Sequence, residues 1–453
     1  ARHRRGVEGG VGANRGNAWG VGGMRLPAYP DYKPSEVDWL RHVPVHWALQ
    51  PLKRHTRLLT EKTDRRERPV ALENIESWTG RFLPTQTEFE GEGVEFTPGD
   101  ILFGKLRPYL AKTLVAESQG EAVGDFLVIR CAESLVPEFL GYQLRSREVV
   151  SIIDGSTFGS KMPRASWDFV GALPFALPPA DEQETIVAFL DRETAKIDAL
   201  IAEQEKLIAL LAEKRQATIS HAVTRGLNSA APMKDSGVSW LGQVPDNWRT
   251  TQLKYVAKRG TSITYGIVQA GPHVEGGIPY IKTSDMAGDG LTLEGMSRTT
   301  PEIDASYARS KVMAGDIVIA IRATVGKCLP VPSELEGANL TQGTAKVSPG
   351  PDVLPEFLLH FLRGTPAQMY FDGMAKGATF KEITLDALRR MPIAVPPLDE
   401  QRLIATEVRE RARVFDQLVL DAQTYVALLH ERRSALITAA VTGQIDVRNA
   451  VTA

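Results

Sequence analysis

Four short stretches of this chain gather basic side chains beside hydroxyl or aromatic ones. "FGKLRPYLAK" brings Lys105, Arg107, Tyr109 and Lys112 together, and "IAIRATVGK" brings Arg322, Thr324 and Lys327. "GSTFGSKMPR" supplies Thr157 and Lys161, and "GATFKEI" supplies Thr379 and Lys381. Cations at a strand end suit phosphates and base edges. A Gly-rich loop adds backbone N–H groups that can reach a phosphate. A solvated surface looks much the same for any one patch, but these recur at equivalent places in the chain. They are the candidate DNA contacts.

Other chemistry finds no residues to carry it. "GSTFGSK" has the wrong spacing for a phosphate-binding loop of the G-x-x-x-x-G-K-[ST] kind, so no ATP site is expected. Neither H-E-x-x-H nor Cys-x-x-Cys occurs, so no zinc site is expected. His42 and His46 are spaced for one helix face, but Pro44 lies between them, so they are not expected to hold a metal. Asp100 and Asp316 each follow a glycine ahead of an apolar run, which strand-entry turns explain better than catalysis. No nucleophile–base constellation stands out. The expectation is a reader without catalytic machinery or a cofactor of its own.

The elements that must position these patches are written twice. Trp39, Pro44, Trp47 and Leu52 match Trp240, Pro245, Trp248 and Leu253 at one constant offset. "PGDILFGKLR" parallels "AGDIVIAIR", and "VPEFL" parallels "LPEFL". "LPPADEQETIV" and "VPPLDEQRLIA" then open segments that align without a gap, 177–224 against 395–442. Each half is therefore a variable module followed by a segment of fixed length. The modules contain short apolar runs entered from Gly-Asp turns and read as mixed α/β with substantial sheet.

The fixed segments read as long helices. Asp181 and Asp399 are placed to cap them, and Glu184 completes a capping box in the first copy only. Apolar residues recur near a heptad, at Ile186, Leu190, Ile197, Leu200, Leu207 and Leu211, then at Ile404, Val408, Phe415, Leu418, Tyr425 and Leu429. Ile197, Leu200, Leu207, Leu211, Phe415, Leu418, Tyr425 and Leu429 are the expected seam of an antiparallel coiled coil. Each helix would be about 65 Å long and would act as a spacer. Gly226 and Gly443 are placed to end them.

Composition bounds the class. The 453 residues exceed one ordinary core, and 43% apolar with 24% charged residues suits a globular protein. A net charge of −2 means that DNA binding would need local basic patches or a basic partner. Two cysteines fit a reducing compartment, and a cytoplasmic location is expected. The expected layout is a disordered leader at 1–24, a module at 25–179, a helix at 180–226 and a linker at 227–233. A second module at 234–397, a second helix at 398–443 and a tail at 444–453 follow. A basic arm touching nucleic acid is the other reading of the Gly- and Arg-rich leader.

With both "PPxDEQ" helices, "FGKLRPYLAK", "GDIVIAIRATVGK", "PEFL" and the "GSTF" and "GATF" loops in view, the chain resembles the specificity subunit of type I restriction–modification systems. The resemblance covers about residues 30–445. It implies an α+β fold with two target-recognition domains, each reading half of a split DNA sequence, and an antiparallel helix pair setting the gap. It also implies partners: double-stranded DNA, two adenine methyltransferase subunits, and motor-nuclease subunits. S-adenosylmethionine, ATP and Mg would sit on those subunits. Because the scaffold segments match while the reading loops differ, the target is expected to be asymmetric. A non-catalytic coiled-coil scaffold with two protein-binding modules is the alternative.

Overall fold

A computed structural model describes residues 19–21, 24–85, 91–159, 161–377 and 381–450. They divide into two compact units, Ala1–Gln204 with Thr424–Ala453, and Glu205–Gln423. The division falls inside both long helices, Ala180–Arg225 and Leu398–Val441. Each unit thus holds one module, the first part of the helix that follows it and the last part of the other helix. The expected leader falls mostly outside the described residues, although Trp19–Val21 pairs antiparallel with Met24–Leu26. The tail is not loose: Ile445, Val447 and Ala450 are buried in the first unit, where Asp446 N–H donates to the Pro27 carbonyl at 2.8 Å.

The two modules share one sheet plan. In the first, four antiparallel strands run in the order Thr113–Val115, Ile101–Gly104, Phe126–Cys131, Thr56–Leu59. In the second the order is Cys328–Pro330, Ile317–Ala320, Thr344–Val347, Thr264–Tyr265. Ile101 faces Ile129, and Ile317 faces Val347. These central strands, ILFG and IVIA, are buried throughout, which is why they read as unbroken apolar runs rather than alternating ones.

The Gly-Asp pairs are strand-entry turns, as expected. The Asp100 carboxylate accepts from Thr97 N–H at 2.7 Å and pairs with Arg130. Burial alone would raise its pKa, but the bonds from Arg130 and Thr97 outweigh that and hold it below the usual carboxylate range. Asp316 accepts from Met313 N–H at 3.0 Å.

The repeated Pro-Pro-x-Asp-Glu-Gln phrase proves to be a lock between helix and module. Pro179 and Pro397, not the aspartates, close the helix starts: Gln183 N–H donates to the Pro179 carbonyl and Gln401 N–H to that of Pro397. Asp181 and Asp399 lie within the first turn and are exposed. They favour the helix through its dipole rather than as caps. Glu182 accepts from the Trp47 indole N–H at 3.1 Å, and Glu400 from Trp248 at 3.0 Å. Gln183 accepts from Val136 N–H and donates to the Ser134 and Pro178 carbonyls. Gln401 repeats all three bonds with Leu354, Asp352 and Pro396. Each glutamine thereby satisfies three main-chain groups, which uncapped and buried would each carry a desolvation cost.

In both units the start of one helix packs with the end of the other, so the helices pair antiparallel. Ile186, Leu190, Ile197 and Ile201 share a core with Leu429, Leu436 and Ile437. Ile404 and Val408 share another with Ile219 and Val223. Gly226 and Gly443 end the helices at φ of 75° and 73°, where glycine carries no steric penalty. A Cβ on Gly443 would also lie 2.5 Å from the Pro44 ring.

The seam departs from its expected residues. Ile197 and Leu429 are buried, and Leu211 and Phe415 are half-buried. Leu200, Leu207, Leu418 and Tyr425 are exposed. Their neighbours Ile201, Ile208, Val419 and Val426 turn inward instead. Apolar doublets such as Leu200–Ile201 and Leu207–Ile208 offer two phases, and only packing selects one.

Candidate nucleic-acid interface

In each unit the chain leaving the central strand joins the loop that precedes the Pro-Pro phrase, forming a small ribbon. In the first unit Leu106 and Phe158 both bridge Arg164. Lys105 N–H donates to the Asp125 carbonyl, Arg107 N–H to that of Pro163, and Ala165 N–H to that of Lys105. In the second unit Arg322 and Lys376 both bridge Glu382. Ile321 N–H donates to the Gly343 carbonyl, Ala323 N–H to that of Lys381, and Ile383 N–H to that of Ile321. The two hydrogen-bond patterns are the same. They set Arg107 opposite Ala323 and Leu106 opposite Arg322, the pairing that gapless counting from Asp100 and Asp316 also gives.

Arg107 and Ala323 also share a left-handed backbone, at φ of 52° and 60°. A side chain in that region costs about 1 kcal/mol, and strain of this kind gathers where a chain is held for function. The 3₁₀ turn Pro108–Leu110 follows Arg107. It leaves Arg107 and Tyr109 exposed, and Arg107 has no ion pair with any described residue.

The remaining expected contacts divide into free and anchored groups. Lys161 and Thr324 are exposed. Lys381 lies 3.6 Å from Asp372, and Lys327 lies 3.5 Å from Asp289. Lys112 is anchored, its ammonium donating to the Leu72 carbonyl at 2.7 Å, and the Thr157 hydroxyl donates to the Asp154 carbonyl at 2.8 Å. Those two shape the loop rather than present a free group. Thr379 lies outside the described residues. His46 bonds Glu182 at 2.7 Å as part of the lock. No group of three or more His, Cys, Asp and Glu that could hold a metal occurs among the described residues.

Three ribbon residues were missed by the sequence reading. Arg164 is half-exposed and pairs with Asp125 through two 3.0 Å bonds, from Nε and Nη2. Glu382 pairs with Arg322 at 3.0 Å. Phe158, with 77% of its surface free, stands beside Arg164. All three lie in stretches already marked by their Gly, Thr and Lys. The available signal was a charged residue immediately before the short helix that leads to each Pro-Pro phrase. The ribbons present cations, a carboxylate and an aromatic ring on loops, a set suited to base edges and phosphates.

Comparison with known proteins finds relatives in sequence and in fold. Residues 245–408 match the family model for the type I restriction modification DNA specificity domain. The chain is 25% identical over 277 residues to the type I restriction enzyme EcoBI specificity subunit of Escherichia coli. That match takes in 60% of this chain and 58% of the relative's length. It is 24% identical over 365 residues to the MjaX specificity subunit, described as putative, of Methanocaldococcus jannaschii, over 77% and 79% of the two chains. In fold it is similar to a chain solved in work on complex assembly and conformational transition of a type I R-M system, with a TM-score of 0.63 and 22% identity. That likeness covers 88% of this chain and 98% of the other. It is also similar to the HsdS subunit of Thermoanaerobacter tengcongensis, with a TM-score of 0.50 and 20% identity, over 89% and 98%. The resemblance read from the sequence motifs therefore stands.

Proposed function

We propose that this chain is the DNA-specificity subunit of a type I restriction–modification complex and reads a bipartite, asymmetric target. Adenine methylation and restriction then belong to partner subunits, and this polypeptide contributes recognition. The observation that carries the reading is the pair of ribbons. One main-chain frame, repeated in two units, presents Arg107, Tyr109 and Arg164 in one copy and Arg322, Thr324 and Glu382 in the other. Two copies of one frame with unlike side chains suit two unlike half-sites, and the helices, whose segments align without a gap, suit a fixed gap between them.

Two adenine methyltransferase subunits and motor-nuclease subunits are the proposed protein partners. S-adenosylmethionine, ATP and Mg would be bound by them, in the cytoplasm. The exposed Leu200, Leu207 and Leu210 on the first helix, and Val414, Leu418, Tyr425 and Leu428 on the second, support docking of a protein there. No described helix is long and apolar enough to cross a membrane.

The test is a genome-wide map of methylated adenines in cells carrying the neighbouring methyltransferase gene, with and without this chain. A split, asymmetric motif that requires the chain is the expected result. A palindromic motif would remove the asymmetry, and no motif with no co-purifying methyltransferase would favour the scaffold reading.

A further inference from the structure

We propose that Arg164 and Glu382, which occupy one and the same ribbon position, read bases of opposite chemistry, a guanine in one half-site and a cytosine in the other. The inference rests on the DNA-reading function above and assigns part of its specificity. Both residues bridge the strand exit, Arg164 to Leu106 and Glu382 to Arg322, and both are bridged from the loop, by Phe158 and Lys376. The residue after each donates its N–H to the strand-exit residue, Ala165 to Lys105 and Ile383 to Ile321. Main-chain geometry thus puts the two side chains in equivalent places, and only their charge is reversed.

Each side chain is also held while keeping a free edge. Asp125 takes Nε and Nη2 of Arg164, which leaves Nη1 and the second Nη2 hydrogen on the end of the fork. Two parallel donors on a rigid plane match the O6 and N7 acceptors of guanine. Arg322 takes Oε1 of Glu382, which leaves Oε2 to accept from the N4 amino group of cytosine. Side-chain exposure of 45% for Arg164 and 46% for Glu382 leaves both open to a groove. The buttressing partner comes from a different strand in each copy. Asp125 lies just before Phe126–Cys131, where the second copy has Gly343, and Arg322 follows Ile317–Ala320. A pair that only closed the loop has no need of reversed polarity at one fixed position.

The experiment maps methylated adenines with wild-type chain, Arg164→Ala, Arg164→Lys and Glu382→Gln, each beside the methyltransferase. Arg164→Ala is expected to relax one guanine in one half-site by about 10- to 100-fold and to leave the other half-site unchanged. Glu382→Gln is expected to relax one cytosine in the other half-site only. Arg164→Lys keeps the charge near Asp125 but loses the fork, so it relaxes the same guanine and serves if the alanine variant fails to fold. In binding assays with the purified complex, 7-deazaguanine at that position should weaken the wild type and leave Arg164→Ala unaffected. Uniformly weaker methylation with an unaltered motif would mean phosphate or scaffold contacts and overturn the inference. A wild type that yields no motif would sink the functional proposal instead.

Discussion

The helix-entry locks and the ribbons are both present twice, and they differ in what was kept. In the locks the central side chains repeat, with only His46 replaced by Asn247: Trp47 and Trp248 donate to Glu182 and Glu400 at 3.1 and 3.0 Å, and Gln183 and Gln401 bond the same three kinds of main-chain group. In the ribbons the main-chain bonds repeat while the side chains change, Lys105 to Ile321, Leu106 to Arg322, Arg107 to Ala323 and Arg164 to Glu382. A buried lock admits few substitutes because each polar atom has an assigned partner. An exposed ribbon fixes only the frame and leaves its side chains available for discrimination. The contrast separates a kept scaffold from a variable exposed surface.

The largest expected effect sits in the locks. Trp47→Ala and Trp248→Ala each remove a fully buried indole and should each cost about 4 kcal/mol, read as a fall in the denaturant midpoint. Equal losses would support equivalent locks, and a large difference would break the equivalence. Gln183→Ala and Gln401→Ala should follow at about 2 kcal/mol, since three main-chain groups lose their partner in each.

A pH difference would sharpen the comparison. His360 occupies the place that Tyr142 holds in the first copy. Its surroundings push its pKa down to about 4, chiefly through burial, with Arg363, Arg215 and Arg409 adding to the shift against Glu356. Since the folded value lies below the unfolded one, near 6.5, the unfolded chain takes up the proton first. Stability contributed by neutral His360 is therefore full above pH 6.5 and is lost as pH falls toward 4. The loss should be about 3 kcal/mol, and His360→Tyr should abolish it in unfolding titrations between those values.

The smallest effect tests backbone alone. Glu36 and Arg41 hold φ of 57° and 44° where the second copy has Gly237 and Gly242 at 72° and 65°. Glu36→Gly or Arg41→Gly should therefore stabilise by about 0.5 kcal/mol, and Gly237→Glu should destabilise by about 1 kcal/mol. Thermal midpoints of opposite sign would bear this out. Midpoints of the same sign would show that side-chain contacts outweigh the dihedral cost.

Much of the architecture was legible because duplication is visible as text. Two modules, two long helices and their glycine stops follow from matched strings such as "PEFL" and "PPxDEQ". The helix phase was not legible, because Leu200–Ile201 and Leu207–Ile208 satisfy either register until a partner surface selects one. The role of the Glu and Gln in the repeated phrase was hidden too. Their partners, Trp47, Val136 and Ser134, lie far away in sequence. Among the expected contacts, Lys112 and Thr157 proved anchored to carbonyls, which residue type alone does not reveal.

The sequence by itself determined the twofold plan, the element types and the basic character of the loops beyond the central strands, since these depend on local pattern and on repetition. Tertiary structure alone decided that the strand exit and the loop before the Pro-Pro phrase meet in one ribbon. Gapless counting already pairs Arg107 with Ala323 and Arg164 with Glu382, but main-chain hydrogen bonds between segments distant in sequence set Leu106 against Arg164 and Arg322 against Glu382. Local pattern carries no such long-range contact, so the ion pairs of Arg164 with Asp125 and of Glu382 with Arg322 became visible only in the fold.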